Sequence, residues 1–170
     1  MRPRWPWIAV IGYVAVVLQT TLVPFMSVGP VGPDVALALV LVLALMVPPF
    51  AAVLMAWAVG LARDVTGGGP LGAWAVLFAA AAGIVLAWRR KFYTRNAPAR
   101  ALAAWVAAAA VHLAYLLGHG LLNGRWDGFW FGVVLALGRA AYTAVAAAAL
   151  AWLVGRWRRR LGLVEEPRIA

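Results

Sequence analysis

Long apolar runs, broken at a few points by glycine, proline or clustered charge, dominate this chain. They lack the ten-residue alternation of apolar and polar positions that a lipid-facing barrel strand requires, and their length predicts helices. The first covers 5–25, with Gln19 and a few threonines as its polar interruptions. A signal peptide is the alternative there, but the apolar part is long and no A-x-A-like cleavage site follows, so a retained first span is expected. Residues 27–33, SVGPVGP, form a Gly/Pro-rich loop, and Asp34 stands as the N-cap of a helix over 34–47. Pro48–Pro49 ends that helix, because an interior proline removes a hydrogen bond and clashes with the preceding turn; the second proline opens a helix over 49–63. Three more helices are expected over 71–88, 101–122 and 128–154, followed by a basic tail, 155–170.

Composition places these helices in a membrane. Of the 170 residues, 66% are hydrophobic and 12% charged, whereas soluble domains are roughly half apolar and a quarter charged. A single all-α integral membrane domain over 1–170 is the reading, since a helix satisfies its backbone hydrogen bonds within one segment in lipid. There is no cysteine, which excludes disulfides and cysteine-based metal or redox sites.

The formal net charge of +10 would suggest nucleic acid in a soluble protein, but its distribution argues otherwise. Twelve of the fifteen Lys/Arg fall in three clusters: Arg2 and Arg4; Arg89, Arg90, Lys91, Arg95 and Arg100; and Arg156, Arg158, Arg159, Arg160 and Arg168. Each borders an apolar run, as cytoplasmic loops that fix topology and touch anionic lipid do. Three basic segments on one side require an even number of crossings before Arg89 and after Arg100. A six-transmembrane-helix bundle with both termini cytoplasmic follows, its second and third helices short, since 34–63 offers 30 residues where two crossings want roughly 40.

The candidate chemistry is sparse. GLARDVTGGGPLG, 60–72, holds Arg63, Asp64 and three glycines, but no lysine follows them as a phosphate loop demands, and a tight turn is the better reading. The G-x-A-R-D run is similar to part of a membrane phosphatidyltransferase motif, yet such enzymes need several spaced aspartates, and only Asp34 and Asp127 accompany Asp64 before the tail. His112 and His119 are seven apart on about one helix face, with no carboxylate one turn away and no third histidine, so packing outweighs a metal or relay site. No catalytic, cofactor-binding or metal residues are assigned. Arg139, twelve residues into the last span, is expected to face the bundle interior and pair with a carboxylate, Asp64 being the candidate, or with helix-end carbonyls; the alternative is snorkelling to water. The alanine runs at 79–83, 107–110 and 144–150 allow close helix approach, and Ala108 and Ala146 are the expected contacts for a partner's helix. Most tryptophans lie near span ends, as in an aromatic belt.

PDVALALVLVLAL after a Gly/Pro loop, a short helix ending in GLARDVTGGGPLG, a basic RRK connector and a basic RWRRRLG end together resemble the rod-shape-determining MreD family. The resemblance covers nearly the whole chain in order, and its specific parts are Pro33, Asp34, Gly60, Asp64, Pro70, Leu71 and Gly72. It implies a non-enzymatic scaffold of the bacterial cell-elongation machinery in the cytoplasmic (inner) membrane, supporting peptidoglycan synthesis and rod shape. Its implied partners are MreC directly and, through MreC, a RodA-type glycosyltransferase, a class B penicillin-binding transpeptidase and actin-like MreB. The implied fold is similar to the six-helix substrate-binding subunits of energy-coupling-factor transporters. A small-molecule-binding subunit of such a transporter is therefore the alternative function, although the external loops offer few polar groups and the first span lacks A-x-x-x-A spacing.

Overall fold

The computed structural model of the chain describes residues 13–14, 17, 19–21, 23–67, 70–91, 97–124 and 126–157. Most of the expected first helix, the charges Arg2, Arg4, Arg95, Arg125, Arg158, Arg159, Arg160 and Arg168, and most of the tail lie outside these residues. The described residues form the helical segments α1 (Val23–Met26), α2 (Val35–Met46), α3 (Pro49–Gly67), α4 (Ala73–Lys91), α5 (Ala97–Asn123) and α6 (Phe129–Trp157), with no strand among them. The nearest thing to a sheet is a Val28–Val31 bridge across the turn at Gly29.

The helix α2 is the hub. Its sequence, VALALVLVLALM, has no polar stripe, and eight of its twelve residues are buried, so it has no face to offer to a surface. It packs against α3, α4, α5 and α6. Around it, α3 with α4 and α5 with α6 form two antiparallel hairpins, and Phe78, Ala107, Ala108 and Ala140 close the core on Leu37 and Leu41. Apolar burial gives little stability when the alternative surroundings are lipid tails; the alanines matter because they bring helix backbones close.

Among the described residues, three helices, spanning Pro49–Gly67, Pro98–Asn123 and Phe129–Arg156, are long and apolar enough to cross a membrane, and two shorter apolar helices accompany them. The chain is all-helical in a manner consistent with a helical membrane protein. Several boundaries differ from expectation: α4 runs on to Lys91, α5 begins at Ala97 rather than 101, α6 extends to Trp157, and α3 continues to Gly67 rather than stopping near Arg63. The Asp64 side chain is drawn towards α4, and the Thr66 hydroxyl donates to the carbonyls of Ala62 and Arg63, so the helix persists to the glycine run. The double proline does separate α2 from α3, with the Ala52 N–H donating to the Pro48 carbonyl in the first turn of α3.

Candidate functional site

A helix start leaves four backbone N–H groups without partners, and in a bilayer none can be left bare. At α2 all four are satisfied by side chains. Asp34 is the N-cap, and its Oδ1 accepts from the Leu37 N–H at 2.9 Å. The Gln19 Oε1 accepts from Val35 at 2.6 Å and from Ala36 at 3.3 Å. The Asp34 N–H itself donates to the Thr143 hydroxyl of α6 at 3.0 Å. The other Asp34 oxygen accepts from the Arg63 guanidinium, the only ion pair among the described residues.

The start of α4 is closed from a neighbouring helix. Asp64, 2% exposed, accepts from Gly72 (2.9 Å) and Ala75 (3.2 Å) at Oδ2 and from Trp74 (3.0 Å) at Oδ1. The fourth donor, Ala73, is met by the Pro70 carbonyl at 3.3 Å. Gly60 lies one turn before Asp64 on the same face of α3. A Cβ built there would sit 2.5 Å from Ala75 Cα and 2.5 Å from the Trp74 oxygen. Only glycine allows α4 to begin against α3 at that distance, and that contact brings its N–H groups within reach of Asp64. Gly72 adopts φ +93, a left-handed conformation that favours glycine, just before α4.

Arg63 links the two helix starts. Its guanidinium lies 3.8 Å from the centroid of Trp74 and 5.6 Å from that of Phe78, while Tyr115 of α5 stacks on the same indole at 4.4 Å. His112 meets Trp74 edge-on at 6.5 Å; it is buried, and its Nε2 has no hydrogen-bond partner. His119 is exposed, so the two histidines share a helix but no pocket. Among the described residues no three of His, Asp and Glu come together as a metal site would require.

The structure thus brings Pro33, Asp34, Gly60, Asp64 and Gly72 to one junction, with Pro70 in the turn that supplies the fourth acceptor. Two expectations fail. Arg139 does not pair with Asp64, whose oxygens are occupied by backbone donors; it is exposed and donates to the Pro30 carbonyl at 2.9 and 3.3 Å. Together with the Tyr142 hydroxyl on the Met26 carbonyl and Thr143 on Asp34, it holds the 27–33 loop against α6. Ala108 is fully buried in the chain's own core and has no surface for a partner's helix; a leucine there would disrupt the bundle itself. Ala146 is half-buried, packed against the same core.

Sequence reading missed Arg63, Thr143 and Gln19 as members of the junction. One signal was present: Arg63 is the only Lys or Arg between Arg4 and Arg89, and so the only nearby cation for Asp34. It also missed a second role for Arg89, whose Nη1 donates to the carbonyls of Ala44, Leu45 and Val47 at 3.1–3.3 Å and so closes the C-terminal end of α2. Comparison with protein-family models, with curated proteins and with solved structures found no match to this chain.

Proposed function

We propose that this chain is a non-enzymatic membrane scaffold of the MreD kind, a six-span bundle with both termini in the cytoplasm that binds MreC. Through MreC it supports a RodA-type glycosyltransferase and a class B transpeptidase in the synthesis of peptidoglycan. One observation carries the reading. The residues that distinguish the chain, Asp34 and the Gly60–Gly72 stretch, meet at one junction where both carboxylates are consumed in holding helix ends. Each Asp64 oxygen accepts a backbone N–H, and the Asp34 oxygens go to Leu37 and Arg63. Residues spent in this way maintain a shape for another protein to recognise.

The partner's membrane helix has to find a face other than the one containing Ala108, and exposed positions such as Ala80, Gly83 and Ala87 on α4 offer small residues outward. The test is to isolate the tagged chain from detergent-solubilised bacterial membranes and identify what accompanies it. Recovery of MreC is the expected result. Recovery of the ATPase subunits of an energy-coupling-factor transporter instead would overturn the reading in favour of the small-molecule-binding alternative.

A further inference from the structure

The end of the bundle away from the junction has a different character. Here α2 stops at Met46, while α5 and α6, of 27 and 29 residues, flank it and reach Ala97 and Trp157. With small side chains at Ala104 and Ala148, the space between the three helices is left as a recess of about 180 Å³, bounded by Leu41, Leu45 and Trp152. It opens on the side of Ala148 and Trp152, both exposed. Apart from Arg100 its walls are apolar side chains, so in a bilayer hydrocarbon is the medium this open recess suits.

Its one charged wall is Arg100, in the first turns of α5, half-buried and without an ion-pair partner among the described residues. Its position near a helix N-terminus adds the partial positive charge of unsatisfied N–H groups. Arg156 supplies a second guanidinium, 6.0 Å from the ring centroid of Trp152. An apolar slot lined by one guanidinium, with a second lying over the Trp152 ring that bounds it and neither in an ion pair among the described residues, is complementary to one class of membrane molecule: a chain-bearing anion.

We propose that this recess binds an anionic glycerophospholipid, its phosphate held between Arg100 and Arg156 and part of an acyl chain lying against Ala104, Ala148 and Leu45. Basic pockets between membrane helices on the cytoplasmic side hold acidic headgroups by this combination of fixed charge and apolar walls. The site rests on the chain lying in a bilayer and is independent of the scaffold reading, because no partner protein enters it.

The experiment uses the full-length chain purified in neutral detergent, with bound lipid measured by native mass spectrometry and thermal stability followed through tryptophan fluorescence. Phosphatidylglycerol and phosphatidylcholine of identical acyl chains are added in parallel, and glycerol 3-phosphate serves as a headgroup without chains. Phosphatidylglycerol is expected to be retained about twenty-five-fold better than phosphatidylcholine, with two arginines each contributing about a factor of five. Glycerol 3-phosphate should give no stabilisation. Arg100→Gln with Arg156→Gln should abolish the preference, whereas Arg139→Gln, the same charge change beside the 27–33 loop, should leave it intact. Ala148→Phe, a change at an exposed position that fills the slot without touching the core, should reduce retention of both lipids. Equal retention of the two lipids, a preference that survives the double variant, or binding of glycerol 3-phosphate matching that of the lipid would each overturn the proposal.

Discussion

The starts of α2 and α4 solve one problem by opposite means. Each places a carboxylate among four backbone N–H groups that cannot be left bare in a membrane. Asp34 caps its own helix, spends one oxygen on Leu37, and has its charge met by Arg63. Asp64 belongs to the preceding helix and meets no cation among the described residues; three N–H groups and the positive end of α4 stabilise its charge. Arg63 sits next to Asp64 in the chain yet serves the other aspartate, because neighbours on a helix point about 100° apart. Paired charge and backbone dipoles are thus interchangeable ways of keeping an anion buried, and substitutions tell them apart.

The largest effect is expected from Asp64→Ala, which orphans three donors at once, that of Ala75 buried and those of Gly72 and Trp74 part-buried. Each unsatisfied donor costs about 1–3 kcal/mol, so the variant should lose about 3 kcal/mol or more, read as a collapse of thermal stability in detergent. Next comes Arg63→Gln, which leaves Asp34 without its cation at a cost of about 3 kcal/mol. Asparagine is itself a good N-cap, so adding Asp34→Asn to Arg63→Gln should recover about 1–2 kcal/mol in a double-mutant cycle. The same cycle with Asp64→Asn should show a clearly smaller coupling; equal couplings would mean that Arg63 serves both carboxylates. Gly60→Ala should cost about 2 kcal/mol through overpacking, and its cost should shrink in an Asp64→Ala background, where α4 no longer has to lie close. Thr143→Val, which removes a single acceptor at the α2 start, should cost about 0.6–1 kcal/mol.

What was legible in the sequence follows from the same physics. All-helical character shows in run length and in the lack of alternation, since lipid leaves the backbone few options. The Asp34 cap is a local feature, read from a carboxylate between a Gly/Pro loop and an apolar run. The role of Asp64 was not legible, because its partners are backbone N–H groups eight to eleven residues away, which carry no side-chain signature. Arg139 has its partner elsewhere for a related reason: distance along a helix is not membrane depth, and the 27–33 loop folds along α6 and brings the Pro30 carbonyl to it. Arg89 was grouped with a charge cluster that sets orientation, and the three α2 carbonyls it holds lie more than forty residues earlier. The alanine runs fit either a compact bundle or an outward face for a partner's helix, and the chain uses much of them inward, on itself.

The bond between the Asp34 amide and the Thr143 hydroxyl spans 109 positions of chain. A ribosome delivers Asp34 first, then Arg63, then the Asp64 turn, and Thr143 only after all of these. The α3–α4 turn, with Asp64 and Gly60 both beside it, has every backbone partner of Asp64 as soon as residue 75 has emerged, and α4 is complete by Lys91. The central helix is closed later: its polar end stays unfinished until α6 brings Thr143 to complete it. Assembly order is thereby written into the capping pattern, with a hairpin able to set early and a hub whose final latch arrives last.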